Sequence, residues 1–169
     1  MFEKVLVAYA SRHGSTAEIA EKIGSRLNAA DFMVDVLPVE QVKDLAGYHA
    51  AVLGAAVYVG AWVKPFAKFL STNRESLARM PVWLFSSGPL GKGDPVELLD
   101  GWRFPETHRP LVEYIAPKEI TVFHGALFTE KLNFIENKMI QMVKSDLGDF
   151  RDWDEITVWT DKVAKQLQG

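Results

Sequence analysis

Three hydroxyls, Ser11, Ser15 and Thr16, stand around Gly14 directly before a helical stretch, with Arg12 and His13 between them. Free backbone N–H groups and the positive end of a helix dipole favour an anion at such a place, and a phosphate fits. Gly14 lets the chain turn closely around that group. No Lys stands where a P-loop needs one, and no G-x-G-x-x-G follows the preceding strand. Nucleoside triphosphate hydrolysis and a Rossmann dinucleotide site both lose support. The plainer alternative is that Ser11 and Ser15 turn the chain and cap the helix.

A second stretch, Gly54-Ala55-Ala56-Val57-Tyr58-Val59-Gly60-Ala61-Trp62, sets small residues at a strand end before two aromatics. That composition suits a flat ring lying against backbone and an aromatic side chain. Tyr58 and Trp62 serve equally well as core residues. A third stretch, Ser86-Ser87-Gly88-Pro89-Leu90-Gly91-Lys92-Gly93, again offers hydroxyls and pliant backbone. The four histidines lie at 13, 49, 108 and 124 with no i, i+4 pair, so no metal site is expected. His124 ends a strand on the ligand side, where it either contacts a partner or fastens a loop.

These stretches need elements to bring them together. Val5-Leu6-Val7-Ala8-Tyr9 is a short apolar run of the kind buried on both faces of a parallel sheet. Ala17, Ile19, Ala20, Ile23 and Leu27 then recur at helical spacing. Further strands are expected at Met33 to Leu37, Ala50 to Val57, Pro81 to Phe85 and Glu119 to Phe123. Pro65 opens a helix carrying Phe66, Phe69, Leu70 and Leu77, and a last helix runs from Trp153 to Leu167 with Asp152 as its cap. Alternating strands and helices make an α/β fold, a doubly wound five-stranded parallel sheet in the order 2-1-3-4-5. Ligands of such sheets sit outside the carboxyl ends of the strands, where all three stretches converge.

The chain resembles the flavodoxin-like family. Ser11-x-x-Gly14-Ser15-Thr16 is similar to its FMN phosphate loop, and the stretches at 54–62 and 86–91 match its two isoalloxazine loops in place and order. A closer resemblance is to the branch with the flavodoxin-type, quinone-linked protoporphyrinogen IX dehydrogenases. It is carried by Gly54 to Tyr58, Phe85-Ser86-Ser87-Gly88, Phe123-His124-Gly125-Ala126 and Gly148-Asp149-Phe150-Arg151-Asp152-Trp153. The resemblance implies FMN, with its phosphate on Ser11, His13, Gly14, Ser15 and Thr16. Ala56, Val57, Tyr58, Val59 and Gly60 would then meet the flavin edge, with Trp62 close by. Ser86, Ser87, Gly88, Pro89, Leu90 and Gly91 would frame the pyrimidine side. Arg12 departs from the uncharged pattern of carrier flavodoxins, and it either adds charge to the phosphate site or points to solvent. No catalytic acid or base is assigned, since the flavin carries the chemistry.

Residues 92 to 117 form a long connection with Trp102, Phe104 and Tyr114, the composition of a lid or binding loop. From Phe128 to Val143 apolar residues fall at helical spacing between Lys131, Glu136, Lys138 and Lys144. That amphipathic helix is expected to lay one face on the core. A membrane-surface contact or a homodimer face is the alternative.

Composition closes off other classes. The 169 residues are 48% hydrophobic and 24% charged, with no break or repeat, and are read as one domain able to bury roughly 70% of its unfolded surface. Cysteine is absent, which excludes disulfides, thiolate zinc, iron–sulfur clusters and a cysteine nucleophile. A net charge of −3 is too balanced to grip nucleic acid. No apolar stretch is long enough to span a membrane, the N-terminus does not read as a signal peptide, and a cytoplasmic location is expected. Three functions stand: an FMN oxidoreductase passing electrons from a small organic substrate to a quinone, a soluble electron carrier docking on redox proteins, and a flavin-free binding module. Carrier flavodoxins present an acidic docking face, so the even charge balance favours the enzyme.

Overall fold

A computed structural model describes residues 3–128, 131–142 and 147–169. Strand β1 (Lys4–Ala10) lies at the centre because Val5, Leu6, Val7 and Ala8 have no polar face to turn to water. It pairs in parallel with β2 (Met33–Pro38) on one side and β3 (Ala50–Tyr58) on the other. Outward from β3 come β5 (Val82–Ser87) and β6 (Glu119–Phe123), also parallel. The order β2-β1-β3-β5-β6 is the expected 2-1-3-4-5 arrangement of five long strands. A two-residue strand, β4 (Ala61–Trp62), folds back antiparallel on the end of β3.

Alternation along the strands divides two cores. Val5, Val7, Val52, Trp83 and Phe85 face α1 (Ser15–Ala29) and α7 (Trp153–Gln168), meeting Ile19, Ile23, Leu27, Ile156 and Val163. Leu6, Ala8, Leu53 and Leu84 face the other layer, α2 (Lys64–Thr72), α3 (Arg74–Leu77) and α5 (Arg109–Ile115). Each of these large apolar side chains contributes roughly 1.5–3 kcal/mol by leaving water. Asp152 caps α7 as expected, its carboxylate accepting from Glu155 N–H at 3.0 Å.

The helix expected from Pro65 through Leu77 is two helices. Asn73 breaks it, because its side-chain amide donates to the Phe69 carbonyl at 2.9 Å and ends the first helix there. The 92–117 connection is likewise built rather than loose. It holds a short helix, α4 (Pro95–Leu98), a 3-10 turn at Glu106–His108 and then α5. Phe104 and Val112 pack on the core, while Leu98 and Tyr114 stand out, the latter with the Arg74 guanidinium 5.4 Å from its ring.

The amphipathic segment departs most from expectation. Phe128 follows a two-residue strand, β7 (Ala126–Leu127), which pairs with β8 (Gly148–Asp149). The helix, α6, runs over Phe134–Met142, and its first turn turns apolar groups outward: Phe134 is 76% and Ile135 69% exposed. Among its described side chains, the buried one is Glu136. The remainder of the expected helix, at 129, 130, 143 and 144, lies outside the described residues.

Between β3 and β4 the chain reverses in two residues, Val59 at φ 51° and Gly60 at φ 72°. Two left-handed positions are what a type I′ hairpin demands, and a β-branched residue suits the first of them badly. Val59 is also 77% exposed, so its side chain gains nothing in return. Val59→Asn is therefore expected to stabilise the chain by about 1 kcal/mol, read as a higher urea midpoint. An unchanged or lower midpoint would mean that the valine is not strained.

Candidate functional site

The carboxyl ends of β1, β3 and β5 lie side by side, with Ala10 opposite Ala55 and Ala56 opposite Ser87. β1 runs into Ser11–Gly14, and α1 begins at Ser15. Gly14 adopts φ 91°, a left-handed turn open to glycine, and its N–H donates to Ser11 Oγ at 3.0 Å. No side chain caps α1. Ser11 braces the loop instead, and the first-turn N–H groups of the helix stay open.

Three hydroxyls around this crevice are buried without a hydrogen-bond partner: Thr16 Oγ1 in the first turn of α1, Tyr58 OH at the end of β3 and Ser87 Oγ at the end of β5. An unpaired buried hydroxyl costs about 1–3 kcal/mol, so three at the same end of the sheet mark a place built for a polar guest.

Close packing shapes the floor. A Cβ on Gly88 would come within 2.8 Å of the Val57 carbonyl oxygen, and one on Gly125 within 2.8 Å of Gly88 Cα. Pro89 and Gly91 are buried, Leu90 is half-buried, and the Pro89 carbonyl accepts from Gly125 N–H at 3.0 Å. His124 fastens this loop, with Nδ1 3.3 Å from the Pro89 carbonyl and Nε2 2.7 Å from that of Gly93.

The tail closes the base. Gly125 accepts from Phe150 N–H at 3.1 Å, next to the β7–β8 pair. The Arg151 side chain, only 5% exposed, donates to both Asp149 oxygens, to Glu18 Oε2 at 3.2 Å and to the Ser15 carbonyl at 3.2 Å. The guanidinium holds Asp149 below the usual carboxylate range. Phe123–Ala126 and Gly148–Trp153, far apart in sequence, thus form one brace under the start of α1.

Two expected site residues are committed elsewhere. Trp62 is buried in the core, T-shaped against Phe66 at 4.9 Å and stacked on His108 at 5.5 Å. Its Nε1 donates to Ser86 Oγ at 3.0 Å, and Ser86 in turn donates to the Arg103 carbonyl at 2.8 Å. Ser86 and Ser87 belong to β5 rather than to a loop, and successive strand residues face opposite ways. Val57 and Tyr58 likewise belong to β3, with Ala56 half-buried behind them. Only the two-residue turn Val59–Gly60 is loop.

Arg12 does not simply point to solvent. Its guanidinium lies 4.4 Å from the Tyr58 ring centre, and its Nε donates to Glu136 Oε2 at 2.9 Å. His13 Nε2 donates to the same oxygen at 2.9 Å. Sequence reasoning missed Glu136, although Asn133-x-x-Glu136 is a capping-box pattern. Asn133 Oδ1 accepts from Glu136 N–H at 2.8 Å, and the Glu136 carboxylate reaches back toward Asn133 N. Burial pushes that carboxyl up, but Arg12, the Asn133 N–H and the charge of His13 together hold it below its ordinary 4.5. A lowered carboxyl lends stability that is fully present above the ordinary value and is lost as pH falls through the lower native one. The stability difference between the unsubstituted chain and Glu136→Gln should therefore be constant at neutral pH and shrink on acidification below 4.5. A difference independent of pH would contradict the pairing.

A family model described as a flavodoxin domain matches residues 6–154. The chain belongs to the flavodoxin family. Among solved structures, this flavodoxin-domain protein is similar to a flavodoxin from the domain Archaea, at TM-score 0.63 and 16% identity over 98% of this chain and 99% of that one. Among curated proteins it is similar to an Escherichia coli protein named protoporphyrinogen IX dehydrogenase [quinone], 24% identical across 94% of this chain and 88% of that protein. A Leishmania major protein of the same name is 26% identical across 95% of this chain and 71% of its own length.

FMN is the cofactor of this flavodoxin-domain protein, and the crevice fits it. Open N–H groups at the start of α1 suit a phosphate, and the orphaned hydroxyls of Thr16, Tyr58 and Ser87 supply unspent donors and acceptors around it. Among the described residues no helix is long and apolar enough to cross a membrane, and no cluster of His, Cys, Asp and Glu is placed to hold a metal ion.

Proposed function

We propose that this flavodoxin-domain protein is an oxidoreductase of the protoporphyrinogen IX dehydrogenase type, carrying electrons from a reduced organic substrate to a quinone. The observation behind the reading is the likeness to two dehydrogenases so named along nearly the whole chain. Surface chemistry beside the loop supports it. Glu136 ties the start of α6 to Arg12 and His13, Val59, Phe134 and Ile135 are exposed, and the Lys138 ammonium lies 5.3 Å from the Phe134 ring, a mixture that suits a flat apolar molecule bearing carboxylates.

Bound FMN supplies the electron transfer between the two partners. The chain's part is binding and placement. In this reading the open N–H groups of Ser15 and Thr16, the Thr16 hydroxyl and the turn at Ser11–Gly14 hold the phosphate, with Arg12 and His13 at its edge. The backbone of Ala56–Gly60 and the Tyr58 hydroxyl meet the flavin edge. Ser87 Oγ and the fastened loop Gly88–Gly91 frame the pyrimidine side. No side chain is given a proton-transfer role. Each two-electron oxidation of the substrate is matched by reduction of one quinone to the quinol.

Anaerobic reconstitution with FMN tests the proposal. Added protoporphyrinogen IX should bleach the flavin, and a menaquinone analogue should restore its colour through repeated cycles. A flavin that binds and stays yellow would contradict the dehydrogenase reading and favour an electron carrier.

A further inference from the structure

Lys131 lies beside the phosphate loop although it is 117 residues from Gly14 in the chain. Its Nζ stands 3.8 Å from the position a Cβ on Gly14 would take, at the entrance to α1. The positive end of a helix dipole repels a cation, so this is the wrong end of α1 for an ammonium group unless an anion lies between them.

Among the described residues none supplies that anion. Glu136, the carboxylate moored at this loop, has Oε2 taken by Arg12 Nε and His13 Nε2, while Oε1 faces Asn133 N. Among the described residues no carboxylate pairs with Lys131, whereas Lys4 and Lys162 pair with Asp35 and Glu119. Its Nζ lies 5.8 Å from the centre of the Phe128 ring. A second observation points to the same missing anion: Thr16 Oγ1, fully buried in the first turn of the helix, has no partner.

We propose that Lys131 is a phosphate-binding residue of the FMN site, delivered to the loop by the segment between β7 and α6. This rests on the FMN phosphate lying on the loop at 11–16. Glu136 acts as a positioning residue, since its bonds to Arg12 and His13 moor the start of α6, and hence Lys131, against that loop. The phosphate then meets an ammonium on one side and the open N–H groups of α1 on the other. A cradle with that ammonium selects a phosphate monoester over the bare sugar alcohol, and binding weakens as salt rises.

The test is fluorescence titration of the full chain and of Lys131→Ala and Lys131→Arg with FMN and with riboflavin, at low and high salt. Lys131→Ala should weaken FMN about tenfold, or about 1.4 kcal/mol, leave riboflavin unchanged and flatten the salt dependence. Lys131→Arg should keep most of the affinity, because it keeps the charge. An unchanged FMN affinity, or equal losses for FMN and riboflavin, would overturn the assignment. A full chain that binds FMN no better than riboflavin would instead overturn the phosphate loop itself.

Discussion

Thr16→Val should weaken FMN binding by about 1.5–3 kcal/mol and at the same time make the ligand-free chain more stable by about 1 kcal/mol. Opposite signs follow from one atom. Thr16 Oγ1 is fully buried and has no partner within the protein, so folding strips it of water for no return. Valine has the same shape and removes that cost, and the two residues have similar helix propensity. In the proposed complex the hydroxyl lies beside a charged phosphate, where a hydrogen bond is worth more than between neutral groups. Flavin titration reads the first effect and urea unfolding the second. Unchanged affinity would move the phosphate elsewhere, and a fall in stability would mean that the hydroxyl has an internal partner.

Gly54→Ala should lower stability by about 3 kcal/mol, which for a chain of this size is roughly 6–12 °C in Tm. A Cβ at Gly54 would overlap Cζ and both Cε atoms of the Phe85 ring. The ring has no retreat: Phe85 is fully buried, with Phe123 at 5.7 Å and Trp159 at 6.4 Å behind it. The backbone cannot yield either, since β3 is paired on both sides. A change in Tm of a degree or two would show that this aromatic layer is softer than its packing implies.

Gly54 also shows how far a sequence can be read. A small residue at the end of an apolar strand reads as room for a ligand, yet the room is taken by Phe85 from the neighbouring strand. Ser86 and Trp62 show the same limit. A hydroxyl or an indole near a strand end states its chemistry but not its face, and a single step along β5 separates Ser86, tied to Trp62 and Arg103, from Ser87, left without a partner. The five parallel strands were legible because Val5–Ala8 and Ala50–Leu53 have no polar face, and that pattern requires a sheet covered on both sides. The turn into α1 was legible because Gly14 interrupts a strand-to-helix step among hydroxyls.

Glu136 and Lys131 were not legible as neighbours of the loop at 11–16. Both reach the loop from more than a hundred residues away, through a segment whose apolar spacing promised a helix on the core. The capping-box pattern from Asn133 to Glu136 marked where α6 starts. Only the fold shows that the same carboxylate also holds Arg12 and His13. Likewise the 92–117 connection carries the aromatics of a lid, but His108 and Phe104 spend theirs on Trp62.

Equilibrium titration of the ligand-free chain with FMN and riboflavin, side by side, is the most direct test of the whole account. The open start of α1, the unpartnered Thr16 hydroxyl and the Lys131 ammonium have work to do only if a phosphate is present. FMN should therefore bind at least about tenfold more tightly than riboflavin, the effect of one charge-assisted contact or more. Equal affinities, or binding of neither flavin, would contradict it.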